Sequence, residues 1–110
     1  MNTDTVLLDR LRGVLDREAH GDTFDVAALA AGVGMSRAQL HRRVKDAFGW
    51  TPAEMIIRYR LERAAQMLAQ RAGSVGEVAY AVGFKNVSHF VKRFRERYGE
   101  TPSSYLLRGQ

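Results

Sequence analysis

The chain contains no cysteine, so disulfides, thiolate metal sites and cysteine nucleophiles are all excluded from its 110 residues. It has only two prolines, Pro52 and Pro102, and no Gly- or Ser-rich stretch that would read as a linker. No apolar run approaches the ~18 residues of a membrane span. The N-terminal MNTDTVLLDRLRG mixes acids with apolar residues and has no small-residue cleavage site, so it does not read as a signal peptide. No period-2 strand pattern is present. His20, His41 and His89 share no ligand spacing, which argues against a metal site. No Ser/His/Asp set and no paired carboxylates stand out, so the chain does not read as an enzyme and calls for no cofactor. The plain expectation is an intracellular, cytoplasmic protein.

What remains is an apolar, basic chain. Hydrophobic residues make up 45% of it, enough for a real core. The net charge of +5 points to an anionic partner. The charge is unevenly placed. Asp4, Asp9, Asp16, Glu18, Asp22 and Asp25 outnumber Arg10, Arg12 and Arg17 in the first 25 residues. Arg37, Arg42, Arg43 and Lys45 face one acid, Asp46, over 36–48; Lys85, Lys92, Arg93, Arg95 and Arg97 face one acid, Glu96, over 85–98.

Both prolines sit in a repeated phrase, FGWTP at 48–52 and YGETP at 98–102. The repeat extends upstream. Leu40 matches Phe90, Val44 matches Phe94 and Phe48 matches Tyr98 at an offset of 50, while Leu29-Ala30 matches Val78-Ala79 at 49. The one-residue difference falls in a turn, where insertions are easiest.

Helical spacing recurs throughout. Leu7, Leu8, Leu11, Val14 and Leu15 predict a helix over 5–20, stopped by Gly21. Asp25 caps a short helix over 25–33 that Gly32 and Gly34 break. Ser36 and Gln39 form a capping-box pattern ahead of a helix ending at Gly49, with Leu40, Val44, Ala47 and Phe48 inward. Thr51-Pro52 opens a long helix running to about 72, a rod of roughly 30 Å at ~1.5 Å per residue. Ser74 and Asn86 then cap the second short-long pair, with Phe90, Phe94 and Tyr98 inward, and Thr101-Pro102 opens a last helix. Tyr59 and Tyr80 are expected in the core or at a helix interface, and Trp50 packed between the two units. Gly34 and Gly83 read as turn glycines of positive φ.

A short helix, a turn and a longer basic helix is the outline of a helix-turn-helix, whose second helix fits a major groove ~12 Å wide. Two copies joined by a rod of roughly 30 Å could address groove segments ~34 Å apart. The fold class expected is all-α: two homeodomain-like helix-turn-helix subdomains, 7–50 and 74–107, joined by a central helix over 51–73.

LAAGVGMSRAQLHRRVKDAFGWTPAEMIIRYRLERAAQML and VAYAVGFKNVSHFVKRFRERYGETPSSYL together resemble the DNA-binding domain of AraC/XylS-type bacterial transcription regulators. The likeness covers about residues 7–107 and is most specific at Gly83-Phe84, Phe90, Phe94, Gly99 and Pro102. Val44 departs from it, standing where the family usually has Phe. The resemblance implies seven helices, sequence-specific binding to double-stranded promoter DNA and contact with RNA polymerase. It also implies a sensor, receiver or dimerisation domain in many members. The chain is compatible with a whole small regulator and with the C-terminal piece of a larger one. In this chain no small-molecule ligand is expected. Some DNA-repair proteins pair this domain with a Cys methyl acceptor, chemistry that a Cys-free chain lacks.

Carried over residue by residue, base contact falls to Ala38, His41 and Arg42 in the first unit and to Val87, Ser88, Val91 and Lys92 in the second. Arg42 can donate two bonds to guanine, and Ala38 and Val87 can touch a thymine methyl. Phosphate contact falls to Arg37, Lys45, Lys85, Arg93 and Arg95, with helix N-terminal amides. The plainer reading of Arg43, Lys45, Arg95 and Arg97 is solvated surface. A nonspecific architectural DNA binder and a protein-interaction helical module remain the alternatives.

Overall fold

Leu7, Leu11, Val14 and Leu15 recur at i, i+4, i+7 and i+8, and all four are buried on the inner face of α1, Thr3–Glu18. The structure, a computed structural model, describes residues 3–108. In these residues α1 is followed by α2 (Val26–Gly32), α3 (Arg37–Phe48), α4 (Pro52–Ala69), α5 (Val75–Ala81), α6 (Val87–Tyr98) and α7 (Pro102–Arg108). Among the described residues there is no strand, and no helix is long and apolar enough to cross a membrane. The chain divides into two units, Met1–Arg58 and Tyr59–Gln110, with the cut inside α4.

The first unit buries Leu29, Ala30, Val33, Leu40 and Val44 together with the inner face of α1 and Met55 and Ile56 of α4. Arg10 ties α1 down, its guanidinium donating to the Val33 carbonyl at 2.6 Å. Close packing explains a correction. Gly32 does not break α2; it is the last residue of that helix. A Cβ there would lie 2.8 and 2.9 Å from the two methyls of Val14, so glycine is needed to let α2 sit against α1.

The second unit is built on rings. Phe84, Phe90 and Phe94 are buried, with centroids 5.1 Å apart from Phe84 to Phe90 and 5.7 Å from Phe90 to Phe94. Tyr98 and Tyr105 extend the chain of rings at 4.6 and 5.4 Å from Phe94. Burial pushes the Tyr98 hydroxyl pKa up, against a smaller opposing pull from Arg97. Pro102, Leu61, Leu68 and Val78 are buried in this unit as well.

The repeat in sequence is a repeat in backbone. α2 and α5 have 7 residues each, α3 and α6 have 12. Met35 N–H donates to the Ala30 carbonyl and Phe84 N–H to the Ala79 carbonyl, both at 3.0 Å, closing the same turn in each pair. Gly34 and Gly83 carry φ of 70° and 110°, and Gly49 and Gly99 carry 82° and 76°, values that strain any residue with a Cβ. Lys85 is the inserted residue of the second turn.

Several expectations shift. The first helix starts at Thr3 and ends at Glu18 rather than spanning 5–20, and Leu8 is only half-buried. The central helix stops at Ala69, not at 72. Arg71 adopts φ 55°, its N–H donating to Leu68 O while Ala72 N–H donates to Met67 O, a left-handed cap placed ahead of Gly73. Tyr80 is 58% exposed and is no core residue, whereas Tyr59 is half-buried, which fits the expectation for it. α5 turns Val78 and Ala79 inward, which leaves Tyr80 outward.

Candidate nucleic-acid interface

Local chemistry fixes where each basic helix starts. Ser36 Oγ accepts from Gln39 N–H at 3.1 Å, and the Gln39 side chain accepts from Ser36 N–H at 2.9 Å. Asn86 accepts from His89 N–H at 3.0 Å. These caps satisfy orphan amides of the first turn. They also occupy the side-chain oxygens of Gln39 and Asn86. His89 sets its ring against Phe84, edge to face at 5.7 Å.

With Leu40 and Val44 pinned in the core, the opposite face of α3 is turned to solvent. Arg37, Ala38, His41, Arg42 and Lys45 are all exposed there. Lys45 reaches the helix C-terminus, its Nζ donating to Gly49 O at 3.4 Å. Arg42 and Arg43 border a hollow of about 180 Å³ with Met35 and Gln39.

In the second unit Phe90 and Phe94 fix the orientation of α6. Ser88, Lys92 and Arg95 are exposed, as is Lys85 in the preceding turn; Val87 and Val91 are half-buried. An open concavity of about 670 Å³ runs along this face, lined by Val87, Ser88, Val91 and Lys92, the residues expected to contact bases, and by Arg95. Glu96 and Thr101 also line it, two residues that the sequence reading did not place at the site. The helical spacing from Lys92 to Glu96 was the available signal. Arg93 is partly shielded and pairs with Glu96 at 3.8 Å. Arg97 is exposed, with its guanidinium over the Tyr98 ring at 5.1 Å.

Trp50 lies within the first unit, stacked on Phe48 at 6.1 Å with the Arg58 guanidinium 4.2 Å from its ring centroid. Arg58 is held in turn by Glu54 at 3.6 Å. This places Trp50 in packing, not on an exposed reading face. Among the described residues no group of three or more His, Cys, Asp or Glu could hold a metal ion.

Two capped helix pairs, each with a basic second helix, define a double helix-turn-helix. Residues 29–108 match the helix-turn-helix domain family, and the chain belongs to that family in its AraC type. It is 38% identical over 88 residues to the HTH-type transcriptional regulator MtrA of Neisseria gonorrhoeae, covering 80% of this chain and 29% of that protein. An AraC-type DNA-binding domain protein from Chromobacterium violaceum superposes with a TM-score of 0.87 at 27% identity, covering 98% of this chain and 96% of that one. The DNA-binding domain of the global transcriptional factor AdpA, solved in complex with a target DNA, superposes with a TM-score of 0.80 at 32% identity, covering 92% and 89% of the two chains. The chain spans between 8% and 37% of the length of the curated relatives it matches.

Proposed function

We propose that the chain is the sequence-specific, double-stranded DNA-binding part of a bacterial transcription regulator, with α3 and α6 reading successive major-groove segments. One observation carries the reading: two equivalently capped helices each turn a cationic face to solvent. Arg37, His41 and Arg42 stand exposed on α3, and Ser88, Lys92 and Arg95 on α6. The AdpA domain, similar in fold and sequence, supports it by its complex with a target DNA.

In this reading Arg42, His41 and Ala38 meet base edges from α3, and Val87, Ser88, Val91 and Lys92 meet them from α6. Arg37, Lys45, Lys85 and Arg95 hold phosphates and set the register. Arg93 joins them by exchanging Glu96 for a phosphate oxygen. The family supports cytoplasmic action on promoters and RNA polymerase as the protein partner. The greater length of the relatives favours a sensor or dimerisation domain outside this chain.

Selection of binding sites from a random DNA pool at physiological salt tests the proposal. Two boxes about one helical turn apart are expected. A single short box would confine reading to one unit, and the absence of any enriched motif would overturn sequence-specific binding.

A further inference from the structure

The two reading helices share a backbone pattern but not a chemistry. At an offset of 50, Arg37 is replaced by Val87 and His41 by Val91. These two positions lie four residues apart on α6 and therefore on one face. Both valines are half-buried along the concavity of about 670 Å³, with Ser88 and Lys92 beside them. The other polar side chains of the first two turns are engaged. Asn86 caps the helix, His89 packs on Phe84, and Arg93 pairs with Glu96. The middle of this face thus offers two branched apolar groups, one hydroxyl and one ammonium.

In the major groove an apolar methyl stands on the edge of one pyrimidine only, at C5. Thymine carries it beside an acceptor, O4. A 5-methylated cytosine places the same methyl beside a donor, the C4 amine. We infer that Val87 and Val91 make the second unit a reader of C5-methylated pyrimidines. Lys92 donates to thymine O4, and the Ser88 hydroxyl, able to donate or accept, serves either base. The first unit, with Arg37 and His41 at the equivalent positions, has no such preference at those two. This inference rests on the DNA-binding reading above and names what one half of that site takes.

The test uses the full chain and the selected duplex, with affinity measured by fluorescence anisotropy at physiological salt. Thymines are replaced singly by deoxyuridine, which removes only the C5 methyl. A buried methyl(ene) is worth about 0.8 kcal/mol, so each methyl read by a valine should weaken binding about fourfold. The loss is expected at two positions in the box read by α6; in the other box only a position facing Ala38 should respond, and neither valine variant should alter it. In Val91→Ala, and separately in Val87→Ala, the thymine-to-uracil ratio at one position should fall towards one, with folding checked by circular dichroism. Exchanging each sensitive T·A pair for C·G, with either cytosine or 5-methylcytosine, separates the two sources. A gain on methylating the cytosine shows that the methyl alone is read; a gain with thymine only shows that O4 is required with it. Equal affinity for thymine and uracil duplexes, or a uracil loss that neither valine variant alters, overturns the inference and leaves sequence-specific binding standing. A selected site without thymine, and with no response to cytosine methylation, overturns it too. Failure to select any duplex would instead strike the DNA-binding reading itself.

Discussion

At the scale of single residues, what could be read in advance was whatever depends on near neighbours in the chain. Asp25, Ser36, Ser74 and Asn86 cap the helices they were expected to cap, because a cap needs only an amide three residues on. Gly32 and Tyr80 were misread, because their roles depend on what other elements bring to them. Gly32 is set by Val14, 18 residues earlier, as the contact distances show. Two outcomes follow at this scale. Gly32→Ala gains ~1 kcal/mol of helix propensity yet meets a core side chain, so a net loss of about 1–2 kcal/mol is expected by urea denaturation. Measured against Val14→Ala as the reference, the same glycine substitution should lose most of that penalty, because the two methyls it meets are gone. Arg42→Ala should weaken binding to the selected site by about 1–3 kcal/mol and relax preference at one base pair. A loss of equal size on every sequence would reassign Arg42 to phosphate.

Elements were legible in kind and order, and their ends less so. The seven helices were all anticipated from periodicity and capping, while α4 closes at Ala69 through Arg71. A left-handed arginine is not a stop signal that composition advertises, and Gly73 nearby was the more obvious candidate. Arg71→Gly should therefore stabilise the chain by about 0.5–1 kcal/mol in thermal or urea unfolding, since the residue gives up a strained φ. The cap of α5 adds a pH response. The Ser74 amide, donating to the Glu77 carboxylate at 3.0 Å, holds the Glu77 pKa below its usual 4.5. A carboxylate depressed on folding stabilises above its unfolded pKa, and that contribution disappears as pH falls through the folded value. Glu77→Gln keeps an acceptor but cannot titrate. Its melting temperature should fall less steeply than the wild type's when the pH is lowered below 4.5.

Over the whole molecule, the duplication was visible in a five-letter phrase, and so was the bias of charge toward two helices. Less visible was how unlike the two proposed reading faces are, because the shape of the α6 concavity needs Glu96 and Thr101 as well as the helix itself. The charge bias has a measurable consequence. If Arg37, Lys45, Lys85, Arg93 and Arg95 each neutralise a phosphate, the slope of log affinity against log salt should be about −4.5, at ~0.9 per contact. Lys85→Ala should flatten it by about 1 without altering the preferred sequence. The shape of each pair is held by Gly34, Gly49, Gly83, Gly99 and the capping side chains, none of which belongs to the proposed reading set. Folding and lettering are thereby kept on separate residues. On the proposed reading, a lineage carrying this chain would respell its target one position at a time without touching the residues that shape the turns and caps.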